Sequence, residues 1–459
     1  MIGGKEERAH SSTRIPFAPL LAVEVVIAVM ARIAYTLTVG QHLKLGLDSI
    51  GYMLLGAIVT GGHGYSNPSV FFTHGIARPT ANFVPGYPLF LAGLLKLGIT
   101  TRTGFQLAGA LCGGVTVLLT GLFGRRVSGR ASIGLIAAGL AAVSATLIAS
   151  DGSVMSETIA VPLTAGLLTT AAWAGGSTSL LRWGAVGLLA GVLMLVRSED
   201  LLTAVVLVPV AVLVAPAVSM RRRATQVATV VVVAAAVLAP WVVRNYETFT
   251  PRVLLSSNDG KTLAGANCGT TYRGPLIGYW EYSCIGHDAL ANSDEAEYDK
   301  VSRAEGTKYL RSHLGRLPLV VGARVARAWG LFDPLQQARL DSLQSRSIGW
   351  QQFAWPESLL LLLMAIPGMV RLRRDRFAFV LVAGPFIIST IVVASTFGNP
   401  RYVVAATPSL CVGAALTVVA LSDRMGARRR RGVPEGDGGS DGPADTLEPL
   451  PIGGTSSPF

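Results

Sequence analysis

Acidic and arginine side chains lie at the ends of long apolar runs in this sequence, where burial of a charge is costly. Asp48 follows the first run and Glu157 begins a later one, while Arg197 and Arg401 stand at the ends of two others. A carboxylate can accept the proton of an attacking hydroxyl. A guanidinium can hold a phosphate through two parallel hydrogen bonds. Together these residue types predict transfer chemistry on a substrate that carries a phosphate.

The composition places these residues in a membrane protein. Of the 459 residues, 51% are hydrophobic and only 14% are charged, against about 25% charged residues in a soluble domain. The mean hydropathy is +0.49. The net charge of +12 agrees with an excess of cytoplasmic arginines. Because basic and aromatic residues do not alternate as they do in proteins that bind single strands, we predict no nucleic-acid partner.

Ten apolar runs are candidates for membrane spans, which need about 20 residues each. They are 17–39, 104–123, 131–149, 156–174, 181–196, 201–218, 224–241, 355–370, 377–396 and 402–421. The first run has 23 residues, too many for the apolar part of a signal peptide, so we interpret it as a retained anchor. A further run, 85–98, contains two prolines and is predicted to be interfacial or re-entrant.

Basic clusters predict which side of the membrane each connection occupies. If 85–98 does not cross, all of these clusters are cytoplasmic, as the positive-inside rule requires. They are the N-terminus, 124–130, Arg182, 221–223, 371–376 and 428–431. The first loop, 40–103, then lies outside and carries interfacial helices.

This topology divides the chain into five parts and predicts an all-α polytopic membrane protein with about ten transmembrane helices. The parts are a cytoplasmic N-terminus (1–16), a seven-span module (17–241), a large extracytoplasmic segment (242–354), three C-terminal spans (355–421) and a disordered cytoplasmic tail (422–459).

The large segment has three features of its own. Cys268 and Cys284 lie together in this polar region, while Cys112 and Cys411 lie in apolar runs, so we predict a disulfide between the first two. The stretch "NSDEAE" predicts a helix start, and the helix should occupy about 293–314. The Tyr and Trp residues between the two cysteines either stack on sugars or pack a small disulfide-closed loop.

The order of these features resembles the GT-C class of membrane glycosyltransferases, which contains protein O-mannosyltransferases and the lipid A aminoarabinose transferase. The stretch "LDSIGYMLLGAIVTGGHGYS" is similar to the Asp-x-x-x-Tyr, small-residue helix and Gly-rich turn of that class. "NFVPGYPLFLAG" is similar to its Pro–Tyr–Pro segment. "APWVVRNY" and "NPRYVVAATP" resemble its later arginine motifs. The resemblance covers residues 17–421 and implies interfacial helices in the first outer loop, seven spans and a large outer segment.

The resemblance also implies an activity. The protein would be an inverting hexosyl- or pentosyltransferase that moves a sugar from a polyprenyl-phosphate donor to a hydroxyl of a lipid, glycan or protein. Asp48 would be the catalytic base, and Arg244 and Arg401 would bind the donor phosphate. Weaker substrate contacts are expected from Tyr52, Glu157, Arg197 and Tyr402. Ser49 stands where the class often has a second acid, so no metal or other cofactor is predicted and a divalent cation is not supported.

Each of these roles has a structural alternative. Asp48 is also a favoured residue type for a helix N-cap. Arg244 and Arg401 could serve as anchors in the membrane interface. Arg197 is followed by Glu199 and Asp200, which favours a local ion-pair cluster.

Two other kinds of protein also remain open for the chain as a whole. One is a transporter or flippase of lipid-linked sugars, and the other is a scaffold that presents the large segment to a partner. The expected location is a bacterial plasma membrane, with several spans and both termini cytoplasmic.

Overall fold

The computed structural model describes residues 16–216, 219–285 and 294–431. Within them the regular structure is helical, with one isolated bridge between Ser66 and Pro79. The helices are α1 (Phe17–Thr38), α2 (Leu47–Thr60), α3 (Pro68–His74), α4 (Gly86–Lys96), α5 (Arg102–Ser128), α6 (Ala131–Val143), α7 (Ala145–Asp151), α8 (Glu157–Ala174), α9 (Leu180–Val196), α10 (Val208–Val214), α11 (Met220–Thr248), α12 (Asp259–Ala266), α13 (Gly269–Tyr272), α14 (Glu295–Ser312), α15 (Leu317–Ala328), α16 (Pro334–Asp341), α17 (Ile348–Arg371), α18 (Arg376–Ser395) and α19 (Thr407–Arg431). Residues up to Val419 form one compact unit, to which the following description applies.

The polytopic α-helical fold expected from the sequence is confirmed, whereas the number of spans is not. Six of the described helices are long and apolar enough to cross a membrane: α1, α5, α11, α17, α18 and α19. The pair α6 and α7 makes a seventh if it counts as one span, although it bends by 59°. The bend lies at Ser144, where the sequence has no proline or glycine that would predict it. The other three predicted spans correspond to α8, to α9 and to a π-helical turn followed by α10. None of these three is both long enough and apolar enough to be counted as a span.

The first loop carries three short helices, α2, α3 and α4, as expected. Helix α4 has 11 residues, about 16 Å, and is therefore too short to cross a bilayer. It packs on α2 through a buried cluster that includes Tyr52, Tyr87 and Leu91. A Cβ on Gly56 of α2 would lie 3.1 Å from the Leu91 Cβ, so the small side chain lets the two helices approach closely. This contact fixes α2, and with it the residues of its first turn.

The large segment folds around buried arginines and a disulfide. Cys268 and Cys284 are joined by a disulfide bond. Arg327, on α15, is fully buried and donates to the carbonyl oxygens of Ile277 (2.6 Å) and Pro275 within the disulfide-closed loop. Tyr272 and Tyr279 are buried. Their burial agrees with packing, the second of the two roles considered for the aromatic residues of this loop.

Several helix boundaries differ from those predicted. Helix α11 continues to Thr248 and α17 begins at Ile348, so the segment between them is shorter at both ends than 242–354. Helix α14 begins after the cap residue Asp294, whose carboxylate accepts from the Ala296 N–H at 3.1 Å, and the predicted helix start is confirmed.

The two predicted terminal segments are only partly described. Helix α19 continues to Arg431, so the first ten residues of the predicted disordered tail are helical. The rest of that tail, 432–459, and residues 1–15 of the predicted N-terminus lie outside the described residues.

A buried ion pair joins α1 to the end of α7. The Nε of Arg32 lies 2.6 Å from the Asp151 Oδ2, and both side chains are 3% exposed or less. The same guanidinium donates to the carbonyl oxygens of Ala141 and Ala142 on α6. Asp151 is therefore a buried anchor. It holds the turn that leads into α8 against α1.

Candidate active site

Four chain segments bring charged side chains together at one end of the helical bundle. Asp48 lies in the first turn of α2 and Glu157 is the first residue of α8. Arg197 follows α9, and Arg401 lies in a 3₁₀ turn, Pro400–Tyr402, before α19. We call these four residues and Glu199 the charge cluster. Its outermost members, Asp48 and Arg401, are 353 residues apart in the sequence.

Arg401 bridges the two acids of the cluster that face each other across it. Its Nη1 lies 2.8 Å from the Asp48 Oδ2, and its Nε lies 2.6 Å from the Glu157 Oε1. Arg197 contacts the same Glu157 oxygen at 2.6 Å and also the Glu199 Oε1 at 2.5 Å. The local ion pair of Arg197 with Glu199 is thus present, but the arginine also belongs to a chain of pairs that reaches Asp48.

Exposure rises along this chain from Glu157 to Asp48. The side chain of Glu157 is 3% exposed, that of Arg197 is 5% and that of Arg401 is 12%. The side chain of Asp48 is 43% exposed. Within the described residues, its Oδ1 has no hydrogen-bond partner. Asp48 is therefore the most exposed carboxylate of the cluster, ahead of Glu199 at 26%, while Glu157 holds the two arginines in place.

The N-cap alternative for Asp48 is wrong. The N-cap residue of α2 is Gly46, and no side chain caps this helix. Asp48 instead lies in the first helical turn, where the partial positive charge of the helix N-terminus favours an anion.

The loop that carries Asp48 is fixed by its neighbours in the sequence. The Ser345 Oγ accepts from the Gly46 N–H at 2.8 Å and lies 2.9 Å from the Ser49 Oγ. A Cβ on Gly46 would overlap with the carbonyl oxygen of Leu343, so this close approach requires glycine. Ser345 itself adopts a left-handed backbone conformation with φ of 62°, which is uncommon for a residue with a side chain. These contacts join the first loop to the chain that precedes α17.

A cavity of about 360 Å³, which we call the site cavity, adjoins the charge cluster. Asp48, Arg197, Glu199 and Arg401 line it, as do Tyr52 and Tyr402. Its apolar wall is formed by Leu201, Leu202 and Val392, next to the π-helical turn Thr203–Leu207. Its other wall comes from the large segment and includes Leu254, Ser256 and Leu263. The cavity is therefore lined by three groups of residues: the charge cluster, an apolar wall and part of the large segment.

A lysine that sequence reasoning missed lies beside this cavity. Lys261, on α12, donates a hydrogen bond to the Oδ1 of Asn82, a residue of the cavity wall. Burial lowers the pKa of Lys261, and nearby acids, Asp48 among them, act in the opposite direction. No motif marks Lys261, because its partner comes from the first loop, 179 residues earlier.

Arg244 lies elsewhere. It does not line the site cavity, and its guanidinium donates to the carbonyl oxygens of Thr80 (2.8 Å) and Tyr65 (3.1 Å). A third hydrogen bond goes to the Asn245 Oδ1 at 2.9 Å. The structure thus brings Asp48, Glu157, Arg197 and Arg401 together and gives Arg244 a contact with the first loop. Its role as a phosphate ligand stays a prediction.

Of the two predicted tyrosines, Tyr402 contacts the charge cluster through its ring, whereas the Tyr52 ring packs on aromatic residues of the first loop. The guanidinium carbon of Arg197 lies 5.4 Å from the centre of the Tyr402 ring, within the range of a cation–π contact. The Tyr52 ring packs on Phe83 at 4.4 Å between centroids and, edge-on, on Tyr87 at 5.1 Å. In the part of the chain that the structure describes, no group of three or more His, Cys, Asp and Glu side chains is arranged to hold a metal ion.

No protein-family model and no curated protein matches the chain. Its fold is similar to that of the archaeal oligosaccharyltransferase AglB from Archaeoglobus fulgidus in complex with an inhibitory peptide and a dolichol-phosphate, with a TM-score of 0.56 and 14% identity. That match covers 90% of this chain and 51% of AglB. A structure of the Archaeoglobus fulgidus oligosaccharyltransferase tethered with an acceptor peptide gives a TM-score of 0.55 and 14% identity over 90% of this chain and 50% of the other.

ArnT from Cupriavidus metallidurans bound to undecaprenyl phosphate aligns with a TM-score of 0.39 and 15% identity, over 91% of this chain and 81% of ArnT. The chain spans about half the length of the oligosaccharyltransferase structures it matches. The resemblance to the GT-C class is confirmed at the level of the fold.

Proposed function

We propose that this protein is a membrane glycosyltransferase that moves a sugar from a polyprenyl-phosphate donor to a hydroxyl group. The observation that carries the proposal is the pairing of Asp48 with Arg401 at a cavity that is lined by charged residues and by an apolar wall. The fold supports it, since the similar AglB structure contains a dolichol-phosphate, a lipid phosphate of the proposed kind.

The site cavity suits an amphiphilic phosphate. Arg401 uses its Nε and one Nη1 hydrogen on Glu157 and Asp48, and its Nη2 donors have no hydrogen bond within the described residues. These N–H groups can therefore bind the phosphate of the sugar donor. Lys261 adds a further positive charge beside the cavity. The apolar wall of Leu201, Leu202 and Val392 would then take the first isoprene units of the lipid.

The proposed reaction is a single displacement. The acceptor oxygen attacks the anomeric carbon, and the bond from that carbon to the phosphate oxygen breaks with its electron pair remaining on the polyprenyl phosphate. The proton of the acceptor hydroxyl passes to Asp48, and the leaving group needs no strong acid because it leaves as a phosphate. One displacement from the face opposite the leaving group inverts the anomeric configuration, for a hexose or a pentose alike.

The other members of the charge cluster act through Arg401 in this proposal. The buried Glu157 fixes Arg401 and Arg197 through ion pairs, and the Tyr402 ring makes a cation–π contact with Arg197. The cluster would face the outer side of a bacterial plasma membrane, with both termini cytoplasmic. The basic clusters of the sequence support this orientation.

The direct test is transfer by the purified chain in nanodiscs that contain a polyprenyl-phosphate sugar. Release of free polyprenyl phosphate, measured by mass spectrometry, should require the protein and fall at least ~10²-fold in Asp48→Asn, as expected for loss of a general base. Glu297→Gln is the matched control, because Glu297 is an exposed acid of α14 whose one ion pair in the described part of the chain is with Lys300. It should retain full turnover.

A transporter gives a different result in the same experiment. It would move the lipid-linked sugar between leaflets while the phosphate–sugar bond stays intact. Transbilayer movement without free polyprenyl phosphate would therefore overturn the proposal. Comparison of lipid-linked glycans, cell wall and proteins between a deletion strain and its parent would then identify the sugar and the acceptor.

A further inference from the structure

A second groove lies on the other side of the Pro400–Tyr402 turn. Arg401 and Tyr402 of this turn line the site cavity, whereas Pro400 and the following Val403 line the second groove, which has a volume of about 100 Å³. Its walls come from the end of α15, from α16, from α17 and from the start of α19. The two spaces therefore share this turn as a common boundary.

The second groove contains a buried positive charge that the proposed reaction does not use. The Arg346 side chain is buried, and within the described residues it forms no ion pair and donates one hydrogen bond, to the Ser150 Oγ at 3.2 Å. A guanidinium has five N–H donors, and a buried charge is costly unless it is paired and hydrogen-bonded. Arg346 is thus suited to an anionic group that enters from the groove.

A buried carboxyl group faces the same groove. Asp341, at the end of α16, is buried and accepts a hydrogen bond from the Gln337 Nε2 at 2.9 Å. Burial raises the pKa of Asp341, and Arg346 opposes this effect although the two side chains are too far apart for an ion pair. An occupant between them would meet a donor on one side and an acceptor on the other, as a phosphate with a neighbouring hydroxyl requires.

The groove becomes apolar along α17. Along α17 its lining passes from Gln351 through Trp355 and Ser358 to Leu361, and Leu410 of α19 also lines it. Gln351 and Leu361 are ten residues apart, which is about 15 Å along a helix. Helices α17 and α19 are both long and apolar enough to cross the membrane. The apolar end therefore lies toward the lipid-embedded part of the protein, and the polar end lies beside the large segment.

We propose that the second groove binds a membrane amphiphile whose headgroup carries an anionic group and hydroxyls, with its chain along α17. Its role as the acceptor rests on the proposed function, whereas its binding does not. A headgroup at Arg346 would lie next to Ser345, which holds Gly46 and Ser49 on either side of Asp48. The acceptor hydroxyl would thus approach Asp48 past Ser345 while the donor occupies the site cavity, and the acceptor is a lipid rather than a soluble glycan or a protein.

The test is photocrosslinking of lipid in nanodiscs, with phosphatidylglycerol as the probe because it carries a phosphate and hydroxyls. The photoreactive residue p-benzoylphenylalanine replaces Trp355, which lines the groove, or Phe353, which is exposed on the same helix. The membrane is phosphatidylcholine with a minor fraction of phosphatidylglycerol. Adducts at position 355 should contain phosphatidylglycerol several-fold above its share of the membrane, and Arg346→Gln should remove this enrichment.

The control position and a third lipid complete the design. Adducts at position 353 should follow the composition of the membrane with or without Arg346→Gln. Adducts of the bulk composition at position 355 would overturn the proposal, as would enrichment that survives Arg346→Gln. If added polyprenyl phosphate is captured at position 355 in preference to phosphatidylglycerol, the groove binds the donor and the acceptor assignment fails. None of these readouts needs sugar transfer, so an inactive protein leaves the binding result intact.

Discussion

Replacement of Glu157 by glutamine should cost both stability and turnover, whereas replacement of Asp48 by asparagine should cost turnover alone. One oxygen of Glu157 receives the Arg401 Nε and the Arg197 Nη1, each at 2.6 Å, and the carboxylate is 3% exposed. Removing the negative charge leaves two nearly buried guanidinium groups side by side. Loss of the sole partner of a buried charge typically costs about 3–5 kcal/mol. Since Arg401 keeps Asp48 and Arg197 keeps Glu199, we expect a cost below this range.

The corresponding cost at Asp48 is smaller for a structural reason. The Asp48 side chain is 43% exposed, so water screens its single pair with Arg401, and Arg401 keeps its buried partner Glu157 when Asp48 is replaced. We therefore expect a cost near the ~0–1 kcal/mol of an exposed pair. The free energy of unfolding can be compared by titration of the variants with dodecyl sulfate in mixed micelles, with Glu297→Gln as the exposed control. Equal losses of stability in Glu157→Gln and Asp48→Asn would refute the division between a supporting acid and an exposed base.

Two further predictions concern residues at the edge of the site. Arg244→Ala should raise the apparent donor KM less than Arg401→Ala, because Arg244 donates to first-loop carbonyls and not into the site cavity; equal increases would restore Arg244 as a phosphate ligand. Burial, with some help from Glu199, raises the pKa of Asp200 to about 7 against the effect of Arg197. Asp200 therefore stabilises the fold below about pH 4 and loses that contribution as the pH rises to about 7. Asp200→Asn should gain stability over the parent at about pH 8 but not at about pH 4, and a pH-independent difference in unfolding titrations would contradict this.

The sequence was sufficient for features that depend on neighbouring residues. Long apolar runs predicted the membrane helices because hydropathy is a sum over adjacent positions. The cap and first-turn acids of "NSDEAE" predicted the start of α14 for the same reason. The identity of Asp48, Glu157, Arg197 and Arg401 as candidate residues also came from local position, at the ends of apolar runs.

Features that depend on distant partners were not accessible in this way. No spacing rule joins Arg401 to Asp48 across 353 residues, or Arg346 to Ser150 across 196. The bend at Ser144 lacked a proline or glycine signal, and α6 and α7 therefore read as one straight run. The N-cap interpretation of Asp48 failed because the helix begins at Leu47, two residues earlier than a cap at Asp48 implies, and Gly46 is the N-cap residue. Gly46 lies close to Leu343, a distant partner that the sequence does not indicate.

The arrangement of charges couples the two substrates in the proposed reaction. In the structure, Arg401 donates to the Asp48 Oδ2, so one oxygen of this carboxylate is already occupied by a hydrogen bond. A donor phosphate would compete with Asp48 for the Arg401 guanidinium, while the ion pair with Glu157 keeps that guanidinium in place. Binding of the donor would therefore weaken the contact of Arg401 with Asp48 and leave both oxygens of Asp48 open to the acceptor hydroxyl when the sugar is present. By the same reasoning, Arg401 would lose its fixed position if Glu157 were replaced. Its guanidinium could then move with the donor phosphate, and its distance from Asp48 would no longer be defined.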